Sequence, residues 1–485
     1  MVDFTALTPE IVLAMFALAL PALGMVTKSS KVLSAFSLVG IALAGLSVWM
    51  ITDGYSGPVA FQNFVIVEEF SLLFMYVFLA VAFYVILSSA AYVKNDKHKP
   101  EYYSLILMAT VGTLSVASAS DLFALFVGIE LTSMSSYALV AFKKKDVKSA
   151  EAATKYLIIG GLSSGFSLFG ISLMYGFTGT TSFSGINDYL STLGAENIEM
   201  VWLAMIMVVV GFGFKISMVP FHMWAPDVYE GAPTPITAML AAGSKKMGFI
   251  AMFKFFLIGL IAIKADWQLL MAVMAVVTMT AGNLIALNQT SIKRMLAYSS
   301  IAQAGYILMV IPVATDYALA GGLFHIITHA FMKGGAFMVV ATLGVAAVGE
   351  SIHDYKGLAK RSPFLAIAMT LFLLSLAGIP PLAGFASKFF LFSAPIDAMG
   401  GGNDWLLWLS VAAIINSAIS LFYYVRVIKY MLVEKGESEE KLKLPASMIA
   451  AVAICVVAVI VMGVYPGPFY QACLDAARSF FTFLA

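Results

Sequence analysis

Charged residues are what this 485-residue sequence has least of: Asp, Glu, Lys and Arg make up 11% of it, against 61% hydrophobic residues and a mean hydropathy of +0.94. Soluble domains carry about 25% charged residues, so the chain cannot cover itself with a solvated surface and reads as a polytopic membrane protein. Cysteine is nearly absent. Cys455 and Cys473 stand apart without CxxC spacing, which excludes an iron–sulfur cluster or zinc site held by this chain alone. No Walker sequence, HExxH, GxSxG or strand-following GxGxxG occurs, so no nucleotide or redox-cofactor site is expected in the chain. The net charge of +1 and the lack of a basic block argue against nucleic acid as a partner. Long hydrophilic stretches are missing too. The largest interruptions lie near 53–67, 178–199 and 346–363, so residues 1–485 read as a single membrane domain.

What is present is a series of apolar runs of about 20 residues, the length that crosses a bilayer as an α-helix. Fourteen are counted, near 9–26, 32–52, 69–92, 103–119, 122–142, 155–177, 200–219, 235–262, 267–287, 293–312, 317–345, 364–392, 405–430 and 446–465. The first has acids, Asp3 and Glu10, where a secretory signal carries positive charge, so it is expected to stay as a membrane helix. A last segment, 468–484, reads as an interfacial helix. Lysines cluster in alternate loops: Lys28 and Lys31, then Lys94, Lys97 and Lys99, then Lys143 to Lys145, and so on to Lys443. The positive-inside rule makes that side cytoplasmic, with both termini outside and the protein in the cell membrane.

One stretch, Gly211 to Lys246, breaks the apolar pattern. It sets Lys215, Lys245 and Lys246 in or beside membrane runs and places Pro220, Pro226, Pro233 and Pro235 between them. A lysine at the centre of a membrane helix costs about 3 kcal/mol on insertion scales, and helix breakers at that depth need partners for the freed backbone groups. The stretch therefore predicts two interrupted membrane helices carrying titratable groups. A weaker echo, GIPPLAGFASKFF, sets Lys388 after Pro380 and Pro381 and predicts an interrupted twelfth helix. Residues 103–262 and 267–430 can each be read as a five-helix unit. An odd span number inverts the second unit relative to the first.

Glu130 lies mid-span with no neighbouring base, and Lys215 is its expected partner. The alternative is an ion pair that only fixes helix packing. Lys245 and Lys246 point about 100° apart, so one is expected to face the interior; the alternative is that either or both, Lys246 above all, reach an interface, and Lys254 and Lys264 are expected to snorkel. His325, His329 and Lys333, spaced four apart, share a helical face. That stripe suits proton relay; structural histidines and a metal pair are the alternatives. Lys388 reads either as a further buried lysine or as a snorkelling one, and His222 stands at the mouth of the broken helix. Arg426 and Lys429 follow from the positive-inside pattern alone.

The segment GFGFKISMVPFHMWAPDVYEGAPTPITAML, with GIELTSMSSYAL before it and IKRMLAYSSIAQAGY and LSLAGIPPLAGFASKF after it, closely resembles the N-type antiporter-like subunits of respiratory complex I and related deazaflavin-dependent dehydrogenases. The resemblance covers nearly the whole chain. It implies fourteen helices, inverted five-helix repeats, discontinuous helices seven and twelve, and one proton channel of a redox-driven pump. Residue by residue, it implies proton-transfer roles for Glu130, Lys155, Lys215, Lys245 and Lys388. Flavin, iron–sulfur clusters and quinone are then expected in partner subunits, with none in this chain. The L-type sister carries a long lateral helix for which no residues exist here, and the M-type usually has glutamate where Lys388 stands. His325 and His329 resemble the L-type pattern. The rival expectation is a subunit of a multi-subunit Na⁺/H⁺ antiporter with no redox partner.

Overall fold

In a bilayer every backbone N–H and C=O must find its partner inside the protein, and an apolar run satisfies this by becoming a helix. The computed structural model describes residues 4–54, 59–61, 64–192, 198–400, 402–436 and 438–483; Asp3 and the last residue of the segment 468–484 fall outside them. The first helices are α1 (Thr8–Val26), α2 (Ser30–Asp53), α3 (Glu69–Tyr92), α4 (Lys99–Ser118), α5 (Leu122–Val140) and α6 (Val147–Thr178). Between α2 and α3 the chain forms an antiparallel hairpin, β1 (Val59–Phe61) with β2 (Val65–Val67), which the sequence reading left as a plain interruption. A short helix, α7 (Phe183–Thr192), occupies the next long interruption.

The seventh span is broken as expected. Helix α8 (Ile198–Ile216) stops one residue after Lys215, and α9 (Trp224–Gly231) resumes after an irregular stretch. The freed backbone groups find partners there: Met218 N donates to Gly213 O at 2.8 Å, Val219 N to Thr278 Oγ1 at 3.1 Å, and Trp224 Nε1 to Phe214 O at 2.9 Å. The eighth span is a composite rod. It comprises α10 (Thr234–Met239), a π-helical turn (Leu240–Ser244), α11 (Lys245–Lys254) and a second π turn (Phe255–Gly259). Turns of this kind recur at functional sites, and here they bracket a helix that begins and ends with lysine.

The second half comprises α12 (Lys264–Leu287), α13 (Ile292–Leu308), α14 (Val310–Val313), α15 (Asp316–Val345), α16 (Leu358–Arg361), α17 (Pro363–Ala377), α18 (Ala383–Asp397), α19 (Leu407–Leu432), α20 (Ala446–Val464) and α21 (Gly467–Phe483). Helices α17 and α18 are the two halves of the expected broken twelfth span. Gly378 turns the chain there at φ +93°, with its N–H bonded to Leu374 O at 3.0 Å. Glycine is required at that φ because a Cβ strains the left-handed region. Eleven helices among the described residues are long and apolar enough to cross a membrane. Three further segments complete the fourteen runs: hydroxyl-rich α4, the lysine-bearing rod, and the broken α17–α18. Helix α21 packs Cys473, Ala476, Ala477 and Phe480 inward against α3 and α15.

Helices α13 and α15 sit at the centre. The 18-residue window of α13–α14 is wholly enclosed, and that of α15 is nearly so. Small residues bring α12 and α13 into close contact: a Cβ on Gly305 would lie 2.3 Å from Met279 N, and one on Gly282 would lie 2.5 Å from Ala302 N. The polar side chains of α13 and α15 therefore face protein on all sides rather than lipid.

Candidate functional site

The site is built along these enclosed helices. At the end of α8, Lys215 is 4% exposed and its Nζ donates to Ser133 Oγ on α5 at 2.5 Å. The rings of Tyr137, Tyr156 and Phe214 lie 5.3–5.8 Å from the ammonium, a cation–π cage that replaces part of its hydration. Glu130, one turn before Ser133, accepts from Ser164 Oγ of α6 at 2.6 Å. Among the described residues Glu130 and Lys215 do not form a direct ion pair, though their charges interact. The expected partnership is thus electrostatic rather than a contact: Lys215 donates to Ser133, and Glu130 accepts from Ser164.

Lys245 and Lys246 are both buried, so the alternative in which either snorkels to an interface does not hold. The two point apart as periodicity requires, but the rod is surrounded by protein, so each meets a different enclosed helix. Lys245 Nζ approaches Ser300 O and Oγ of α13, both at 3.3 Å, and lies 5.8 Å from the Tyr229 ring. Lys246 Nζ is 2.6 Å from His329 Nδ1 on α15. Lys333 donates to Ser299 Oγ and, at 3.2 Å, to Leu296 O. Lys254 is also fully buried, bound to carbonyls of α4, so the snorkelling expected of it does not occur. Lys264 is half-buried and donates to Val313 O at 3.2 Å.

His325 joins this row to the broken twelfth span. Its Nε2 is 2.9 Å from Gln303 Oε1 and its Nδ1 is 3.0 Å from Ser387 Oγ. Gln303 Nε2 donates to Leu376 O at 3.2 Å, which orients the amide; its Oε1 is then an acceptor and His325 carries its proton on Nε2. Lys388 Nζ donates to the same Leu376 O at 2.7 Å, to Ala377 O at 3.2 Å and to Ser417 Oγ at 2.9 Å. Its aliphatic stem borders a largely apolar cavity of about 450 Å³ between α18 and α19. The two histidine ring centroids are 6.0 Å apart, with nitrogens engaged by Lys246, Gln303 and Ser387. Lys245, Lys246, His329, Lys333, His325 and Lys388 thus succeed one another across the bundle, bridged by hydroxyl, amide and carbonyl groups that can pass or hold a proton.

Lys155 stands apart from that row. It is partly exposed near the basic loops and pairs with Asp227 at 2.6 Å and Glu151 at 2.7 Å. Asp227 and Glu230, from the PDVYEGAP run, also bind Arg294 at 2.8 and 3.0 Å. Lys293 pairs with Glu350 at 2.5 Å beside them. His222 is buried in the break of the seventh span. Sequence reasoning missed Ser133, Ser299, Ser300, Gln303, Ser387 and Ser417; for Ser299, Ser300 and Gln303 the signal is the hydroxyl- and amide-bearing run AYSSIAQAGY in an otherwise enclosed helix.

The model of the family described as NADH:quinone oxidoreductase/Mrp antiporter, transmembrane, matches residues 119–420, which hold the whole row, and the chain belongs to that family. It is 44% identical to subunit N of the F(420)H(2) dehydrogenase of Methanosarcina mazei, over 98% of this chain and 99% of that one. It is 39% identical to the NADH-quinone oxidoreductase subunit N of Trichlorobacter lovleyi, over 98% and 97%. Among solved structures, a chain of the membrane-bound sulfane sulfur reductase, an archaeal respiratory membrane complex, superimposes with a TM-score of 0.87 at 29% identity, covering 98% of both chains.

Proposed function

We propose that the chain is a proton-translocating membrane-arm subunit of a complex I-like oxidoreductase. Electrons pass from a reduced carrier to a quinone-like acceptor in other subunits, which hold the flavin, iron–sulfur clusters and quinone, and this chain moves protons in response. The observation that carries the reading is the set of buried lysines and histidines from Lys215 to Lys388, each enclosed by protein and engaged by at least one polar partner. Buried lysines are expensive, and a row of them suits a path along which a proton steps between amines while hydration and nearby charge shift the balance. Glu130, Lys215, Lys245, His329, His325 and Lys388 are its members, with Lys155 near its mouth. Residues 103–262 and 267–430 are the inverted units that supply its halves. The chain lies in the cell membrane with its basic loops toward the cytoplasm and both termini outside. Its partners are the lipid bilayer, sister antiporter-like subunits and the peripheral redox subunits.

The test is proton uptake by proteoliposomes holding the whole complex. Lys215→Ala is expected to lower electron-driven translocation about tenfold, a barrier increase of about 1.4 kcal/mol, with the complex still assembled. Wild-type translocation by assembled Lys215→Ala overturns the reading. A Na⁺-dependent ΔpH formed without any electron donor replaces it with secondary Na⁺/H⁺ antiport.

A further inference from the structure

A second set of opposite charges is enclosed at the end of the bundle away from the basic loops, and the row does not use it. Lys254, the last residue of α11, and Glu68, immediately before α3, are both fully buried. Lys254 Nζ donates to Ala117 O at 2.6 Å and Ala119 O at 2.7 Å, with Val116 O at 3.5 Å. These carbonyls close the C-terminus of α4, the negative end of its dipole. Glu68 sits at the opposite kind of helix end: its Oε2 accepts from Phe70 N at 2.9 Å at the start of α3. Each charge is thus held by the helix terminus of complementary sign.

The two groups share neighbours. Ser71 Oγ lies 3.2 Å from Glu68 Oε1 and 2.9 Å from Ala117 O, the carbonyl that Lys254 also takes. The Phe70 ring is 5.8 Å from Lys254 Nζ, and Ser479 of α21 donates to Glu68 Oε2 at 2.8 Å. Another buried carboxylate, Glu10 of α1, lies beside Ser118 at the same end. Glu68 and Ser479 fall outside residues 119–420, so the site draws on parts of the chain that the family model does not reach.

A connection to the row exists. Lys245 and Lys254 begin and end the same helix, about 14 Å apart at 1.5 Å per residue. Before the start of that helix lies a cavity of about 20 Å³, lined by Thr110, Thr113, Thr132 and Ser244 among apolar neighbours. That volume admits about one water, and the four hydroxyls supply the partners a buried water needs. Ser244 adjoins Lys245, and Thr113 is one turn before the carbonyls that hold Lys254.

We propose that Glu68 and Lys254 form a further proton-transfer site, reached from Lys245 through the threonine-lined cavity and leading to the face of the bundle opposite the basic loops. The inference rests on the proton-translocating reading above. Transfer from the Lys254 ammonium to the Glu68 carboxylate leaves an amine and a carboxylic acid, cancelling both charges together; the return step restores them. The Ser71 hydroxyl stands between the two groups.

The experiment compares whole complexes carrying Glu68→Gln, the double change Glu68→Gln with Lys254→Met, and Lys215→Ala, each assayed for electron-driven proton uptake in proteoliposomes. Glutamine keeps the shape and part of the hydrogen bonding of Glu68 while removing its charge. The double change removes both charges, and replacing a whole buried pair is often neutral for stability. Translocation by the assembled Glu68→Gln and double variants is expected to fall to the level of Lys215→Ala. Wild-type translocation in either, with Lys215→Ala impaired, overturns this inference alone; wild-type translocation in Lys215→Ala overturns the function on which it rests. Failure of both Glu68 variants to assemble also overturns it, in favour of a clasp that only fastens α21 to α3.

Discussion

The two broken spans hold a lysine each, and they hold it differently. Lys215 donates to a serine hydroxyl, rests among aromatic rings, and feels Glu130 only across an intervening turn. Lys388 donates to Leu376 O and Ala377 O, the last carbonyls of the half-helix before its own, with Ser417 as third acceptor. A carboxylate can change its distance or its protonation, so the charge on Lys215 is open to control by another group. Helix carbonyls are fixed in place, so Lys388 has a constant partner and is controlled by what enters the cavity beside it. The same architectural device therefore serves two purposes. In the proposed pathway, the first break supplies a lysine open to control by a carboxylate, and the second one held by fixed carbonyls.

The largest expected effect breaks the second site without touching its lysine. A Cβ on Gly384 would lie 1.8 Å from the backbone oxygen of Ser375, so Gly384→Ala must separate α17 from α18. Overpacking against backbone costs about 3 kcal/mol; loss of the assembled complex on native gels is expected, and normal assembly contradicts the tight α17–α18 junction. Next, Glu130→Gln is expected to reduce translocation about tenfold while thermal stability of the complex stays near wild type, because Glu130 makes no direct ion pair. Lys388→Met is expected to reduce translocation similarly but also to lower stability, since Leu376 O and Ala377 O each lose the ammonium's hydrogen bond, worth about 1 kcal/mol apiece, and keep only Gln303 Nε2 and Ser417 Oγ as donors. Equal stability of these two variants in a thermal-shift assay contradicts the contrast between the sites. The smallest effect belongs to Ser417→Ala, which leaves Lys388 two of its three acceptors. One hydrogen bond is worth about 1 kcal/mol, so a fall in translocation of about fivefold is the ceiling; a loss as deep as that of Lys388→Met would make Ser417 the principal partner.

Much of this was legible in the sequence because membrane insertion imposes strong rules. A run of apolar residues has one stable backbone conformation in lipid, so the spans could be counted. Prolines beside Lys215 and Lys388 marked both breaks, since a proline removes a donor wherever it stands. Lys254 was misjudged because one strand of sequence carries no information about what surrounds a helix. A lysine near a helix end snorkels only if lipid or solvent lies within its reach, and Lys254 is enclosed by protein. The hydroxyl and amide partners escaped for the opposite reason: serine and glutamine are common enough in membrane helices that none stands out until a lysine or histidine is seen next to it.

By itself the sequence determined that the chain spans a membrane many times, that two spans are broken, and that titratable groups lie at membrane depth. Only the tertiary structure decided which groups meet. It gives Lys215 Ser133 as its partner, joins His325 to Lys388 through Gln303 and Leu376 O, and brings Glu68 from before α3 to the end of α11. The reason is physical. Backbone satisfaction and transfer cost act on each segment alone and can be read segment by segment, whereas a buried charge takes its partner from whichever helix packs beside it, and that choice belongs to the assembled bundle.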